Sequence, residues 1–170
     1  MQFVRELLPQ LEAGSEPGVV FSILSAGYHG VYPHWQQDFE LRDHFSLKNA
    51  ADSAGLYNDL GLEAVASRHS SVRCVHWAPG FVASSWGTEL PGLVRCLVRG
   101  LQVFGRSIYD AGEYAVGCMQ EAKTGTSGHV YLYGPSASKA SPTSIHSDET
   151  ASSIWASTER VLDRVIAARK

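Results

Sequence analysis

The chain has 170 residues, of which 44% are hydrophobic and only 18% charged, with a formal net charge of −3. That length suffices for one core, and the absence of a basic run argues against nucleic acid as a partner. No apolar stretch reaches the ~20 residues of a membrane helix. The first residues lack the basic-then-apolar pattern of a secretory leader.

Cys74, Cys96 and Cys118 are an odd, widely spaced set, which argues against a disulfide framework and against a zinc site. They read as small buried hydrophobes in a reducing, cytoplasmic compartment. The seven histidines carry no i, i+4 pair on a predicted helix and no completed ligand spacing, so no metal is expected.

In chain order, Phe3 to Leu11 has apolar residues at helical spacing, and the Gly/Ser/Pro-rich stretch 13–18 is a turn. Val19 to Leu24 is a short apolar run that suits a strand buried on both faces of a parallel sheet. Residues 27–43 are irregular. A helix from about Phe45 to Ser67 would turn Leu47, Ala50, Ala51, Ala54, Tyr57, Leu60 and Ala64 inward.

Arg73 to Trp77 is a second strand, ended by Pro79-Gly80. Leu90 to Val103 and Ile108 to Met119 read as helices, and Gly128 to Gly134 as a third strand. A Ser/Pro/Thr-rich connector from Pro135 to Thr150 leads to a helix from Glu149 to Ala168. Strands separated by helices imply an α/β fold with three parallel strands between helical layers.

Three landmarks fall in order along this pattern. The run Val19-Val20-Phe21-Ser22-Ile23-Leu24-Ser25 is a strand ending in a serine. His44-Phe45-Ser46-Leu47-Lys48-Asn49-Ala50 opens a helix with a lysine. Val72 to Trp77 leads through Ala78 into Pro79-Gly80-Phe81-Val82. Open parallel sheets hold ligands at the carboxyl ends of their strands, and Gly80 leaves room for close backbone approach. Taken alone, Ser25 reads better as an ordinary turn residue.

Together these landmarks resemble the second half of the short-chain dehydrogenase/reductase family, over most of the chain from Phe3 to about Gly134. Gly105-Arg106-Ser107, Asp110 to Glu113, and Gly128 to Gly134 resemble its last helix and strand. The resemblance implies a partial Rossmann-like three-layer fold over 1–134, with 135–170 as a loose connector and terminal helix. It implies NAD or NADP as cofactor, and a carbonyl or alcohol substrate of lipophilic character.

On the same basis Ser25 would hold the substrate oxygen. Lys48 would bind the nicotinamide ribose and tune the proton donor, and Pro79, Gly80, Val82 and Ser84 would meet the nicotinamide. The family's tyrosine belongs four residues before the lysine, where this chain has His44. An imidazole there is either a general acid–base or simply the start of the helix.

No G-x-G-x-x-G turn for a dinucleotide pyrophosphate occurs, and Gly55 to Gly61 falls inside a predicted helix. On the resemblance the chain therefore begins in the middle of the fold. An exposed apolar sheet edge is expected, suited to a second copy or a protein partner. The alternative reading is a catalytically inactive remnant or interaction module.

Trp35, Trp77 and Trp86 are expected around the mouth of the site, where they could line a lipophilic pocket, although Trp77, which ends a strand, reads rather as a core aromatic; Tyr57 is expected as packing. A serine hydrolase built on Ser25, Asp43 and His44 is set aside, because no G-x-S-x-G elbow is present.

Overall fold

A computed structural model describes residues 1–125 and 128–168. Three strands, β1 (Gly18–Ile23), β2 (Val72–Trp77) and β3 (Val130–Tyr133), form one parallel sheet in the order β1-β2-β3. The helices are α1 (Gln2–Glu12), α2 (Leu47–Arg68), α3 (Gly92–Leu101), α4 (Ile108–Thr124) and α5 (Asp148–Ala167), with a 3-10 turn at Gln102–Phe104. This is the α/β architecture of parallel strands and flanking helices that the pattern implied, and it is consistent with the partial Rossmann-like fold that the resemblance implied.

Alternation along β2 divides the core in two. Val72 and Cys74 pack with Leu56, Leu60, Val65, Ile154 and Trp155, so α1, α2 and α5 cover one face. Val75 and Trp77 pack with Ala111, Cys118, Ala122 and Tyr133 on the face covered by α4. α5 joins the same core as α2, so residues 148–167 complete the layer.

Side-chain caps start three of the helices. Ser46 Oγ accepts from Asn49 N at α2. Ser107 Oγ accepts from Asp110 N at α4, and Ser147 Oγ from Thr150 N at α5. Each serine satisfies an N–H that has no partner within the helix.

Three expectations change. β1 is an edge strand with half-buried residues, because only β2 borders it; the apolar run had suggested burial on both faces. On α2, Leu47 is 84% exposed and Ala51 and Ala54 are exposed, whereas Asp52, Ser53, Gly55 and Asp59 are buried. The inward face of this helix begins with polar residues, so its apolar periodicity misdirects. Third, the connector after β3 folds back. Ala140 N donates to Leu132 O, Gly134 N donates to Ser138 O, and Lys139 bridges antiparallel to Tyr133.

Candidate functional site

The sheet register sets the site. Ile23, Trp77 and Tyr133 stand in one row across the three strands. Ser25, Pro79 and Pro135 each follow two residues later, so all three chains leave the sheet together at its carboxyl edge. Leu24 N donates to Trp77 O and Ala78 N to Tyr133 O, which extends the pairing to that edge.

Two glycines permit the close meeting of these exits. Gly27 has φ +65°, and a Cβ there would lie 2.5 Å from Ser141 O. Tyr28 N donates to Ser25 O, closing a turn in which Gly27 takes the third position, where positive φ favours glycine. Gly80 has φ +70°, with Pro135 packed 3.2 Å from where a Cβ would stand.

Behind this edge lies a buried polar cluster that the sequence did not announce. Asp59, on α2, and His76, on β2, are both fully buried, and the His29 side chain is only 2% exposed. Asp59 Oδ1 accepts from His76 Nδ1. Asp59 Oδ2 accepts from His29 Nε2 at 2.8 Å and from Gly27 N at 3.1 Å.

His76 Nε2 in turn accepts from Ser25 N at 3.1 Å, with Asn58 Nδ2 at 3.3 Å from the same nitrogen and donating to Ser22 Oγ at 2.6 Å. Two turns earlier on α2, Asp52 accepts from Gly30 N at 2.9 Å and from Lys48 Nζ at 2.5 Å. Among the described residues no group of three or more such side chains is arranged to hold a metal ion.

The electrostatics follow from this wiring. Burial raises the Asp59 pKa, but the hydrogen bonds from His29 and His76 outweigh it and bring the carboxyl down to about 2. For His29 burial disfavours the charge, yet the bonds to Asp59 and Gly30 O prevail and raise its pKa above 6.5. The Lys48 ammonium leads in holding Asp52 below the ordinary carboxyl range.

Ser25 Oγ is buried and finds no hydrogen-bond partner. It lies against Gly55, where a Cβ would come within 2.5 Å of both Ser25 Oγ and the His29 ring. Ser25, Asp59 and His76 do not form a nucleophile triad, because the His76 Nε2 lone pair is taken by the Ser25 main chain rather than its hydroxyl.

The other residues singled out by the sequence are placed as follows. His44 donates from its main-chain N to Asp38 at 2.9 Å, and its Nδ1 lies 3.1 Å from the same carboxylate, while its ring stacks on His34. Burial alone would raise the Asp38 pKa, but bonds from the His44 and Arg42 main chain and from Tyr32 hold it well below the usual range. Lys48 is 79% exposed on its side chain. It stands seven residues before Gly55, roughly 10 Å along the helix axis. The polar partner of the His44 ring is Asp38 and that of Lys48 is Asp52.

Val82 bridges Arg106, and Ser84 Oγ accepts from Trp86 N at 3.3 Å. Ser84 faces a shallow cleft with Ser85, Arg99, Gln102, Val103 and Ile108. The tryptophans do not gather at one mouth. Trp35 packs on the α2 side, Trp77 on the α4 side, and Trp86 is exposed against Phe81. Tyr57 stacks on Phe39 as packing, at 4.2 Å between ring centres.

A parallel three-layer α/β unit with its chain exits gathered at one sheet edge is the class that fold and site define. The chain is similar to two fungal proteins. One, named Oxidoreductase AN1596, from Emericella nidulans, is 35% identical over 85 residues, 50% of this chain and 25% of that protein. The other, from an Aspergillus species, is named NmrA-like family domain-containing oxidoreductase notO and is 34% identical over 97 residues, 56% of this chain and 27% of that protein. The matched segments thus cover about a quarter of each relative. No protein-family model and no solved structure matches the chain.

Among the described residues, no helix is long and apolar enough to cross a membrane.

Proposed function

We propose that the chain carries part of the cofactor and substrate site of an NAD(P)-dependent oxidoreductase of the short-chain dehydrogenase/reductase type, acting on a lipophilic carbonyl or alcohol. One observation supports this reading: the parallel register sets Ile23 opposite Trp77, so the exits that lead to Ser25 and to Pro79-Gly80 leave neighbouring strands at the carboxyl edge of the sheet. Similarity to two proteins named oxidoreductases supports it.

The residues present fit the nicotinamide end of a dinucleotide. Gly80 is exposed, and the Ser84 hydroxyl accepts a bond while its own proton stays free to donate. The Lys48 ammonium is exposed enough to reach a ribose hydroxyl. When bound, such a cofactor supplies hydride transfer. The chain's own part is to orient the substrate oxygen through Ser25, whose hydroxyl must first turn outward from Gly55. His44 is the proton carrier that the spacing offers, and its tie to Asp38 would have to yield for that role.

Titration of the chain with NADPH and NADH by calorimetry tests the reading. Saturable binding tighter than about 100 μM, roughly 5.5 kcal/mol, is expected, with loss of carbonyl turnover in Ser25→Ala. A folded chain that binds neither nucleotide overturns the proposal for this chain.

The second reading, an inactive module that binds a second copy or another protein, draws on the ties of His44 to Asp38 and of Lys48 to Asp52. It calls for absent nucleotide binding together with concentration-dependent association in sedimentation.

A further inference from the structure

The segment Ser25–Gly30 is fastened by side chains from other elements. Its N–H groups at Ser25, Gly27 and Gly30 donate to His76, Asp59 and Asp52 respectively. Protonation states follow from the donors and acceptors alone. The Ser25 N–H only donates, so His76 Nε2 carries no proton; the Asp59 carboxylate only accepts, so His76 Nδ1 does.

His29 differs. Its Nδ1 faces Gly30 O at 2.9 Å and its Nε2 faces Asp59 Oδ2 at 2.8 Å. Both partners only accept, so both nitrogens are protonated and the ring is a cation. One buried carboxylate therefore holds a neutral imidazole on one oxygen and an imidazolium on the other, with the charges compensated.

We propose that Asp59 is the positioning residue of the Ser25 site: by fixing the tautomer of His76 and anchoring Gly27 and His29, it holds the chain exit of β1 in one geometry. The part of this that concerns the Ser25 hydroxyl rests on the proposed function; the fastening does not. Charged and titratable groups face the hub from each neighbouring element. Asp52, itself paired with Lys48, comes from α2, and His76 from β2. His146, in the segment before α5, has its Nε2 3.9 Å from Asp59 Oδ2, beyond hydrogen-bond range.

Side-chain nitrogen NMR combined with amide hydrogen exchange tests this on the chain and on Asp59→Asn. In the wild type, His76 is expected as the neutral Nδ1–H tautomer and His29 as doubly protonated at pH 6. In Asp59→Asn the Ser25 and Gly27 amides should exchange at least ~10-fold faster, about 1.4 kcal/mol, while Val75 in the central strand is unchanged. An Nε2–H tautomer for His76, or unaltered exchange at both amides, overturns the proposal.

Should Asp59→Asn not fold, His29→Gln keeps the carboxylate and removes the titrating cation. Wild-type Gly27 exchange, corrected for its intrinsic rate, should accelerate as pH rises through the His29 pKa. That pH dependence should vanish in His29→Gln, and its persistence would count against the hub. Failure of nucleotide binding would sink the role of the Ser25 hydroxyl, whereas the exchange data decide the fastening independently.

Discussion

Two regions of the molecule invert the usual assignment of inside and outside. Where α2 meets the end of β1, the interior holds Asp52, Asp59, His29 and His76. From α3 to the start of α4, the surface holds Leu93 at 87% exposure, Phe104 at 88%, and the half or more exposed Leu97, Leu101, Ile108 and Tyr109. α3 has no buried residue: only Val98 is half-buried, while the exposed Arg99 donates to Ser84 O and Gln102 Oε1 and the exposed Arg95 to Leu90 O. The lesson is that burial follows satisfied hydrogen bonds as much as hydropathy. A carboxylate with three donors is stable inside, and an apolar helix face stays outside when no element of the chain packs on it.

The sharpest way to break this contrast is Asp59→Ala. It leaves two imidazoles and the Gly27 N–H without an acceptor, and an expected loss of about 3–5 kcal/mol would appear in urea denaturation. A loss below about 1 kcal/mol would mean the hub adds little.

Gly55→Ala comes next. Alanine gains roughly 1 kcal/mol of helix propensity, but its Cβ would collide with Ser25 Oγ and the His29 ring. Overpacking of this kind costs about 1–3 kcal/mol, so net destabilisation is expected and a stabilised variant would show that the contact relaxes freely. Ser46→Ala removes the α2 cap and should cost about 1 kcal/mol, read from the same denaturation curve.

The dependence on pH sharpens the contrast without mutation. The Asp59 carboxyl is depressed to about 2 in the fold, so its contribution is present above its unfolded value near 3.8 and is lost as pH falls toward 2. The His29 pKa is raised, so its contribution is complete below 6.5 and is lost as pH rises through the folded value. Thermal melts should therefore show highest stability between about pH 4 and pH 6.5, and His29→Gln should remove the decline on the alkaline side. The smallest effect belongs to the exposed apolar face: Leu93→Ser should change stability by less than about 0.5 kcal/mol.

The sequence by itself determined the order of elements, since apolar runs separated by Gly-, Ser- and Pro-rich turns mark them in turn. It also placed Ser25 and Pro79-Gly80 at strand exits, because an apolar run that stops at a small or ring-locked residue marks the edge of a parallel sheet. It did not show the hub.

Asp52 and Asp59 lie seven residues apart with Gly55 between them, on one helical face. That spacing was the available signal, but carboxylates on a helix ordinarily mean solvent. His29, in an irregular loop, and His76, within a strand, looked like scattered histidines because their common partner is 17 to 30 residues away along the chain. Only the tertiary structure could bring them together. A charge is tolerated inside only where several distant donors converge on it, and that convergence depends on packing α2 against the sheet rather than on local sequence.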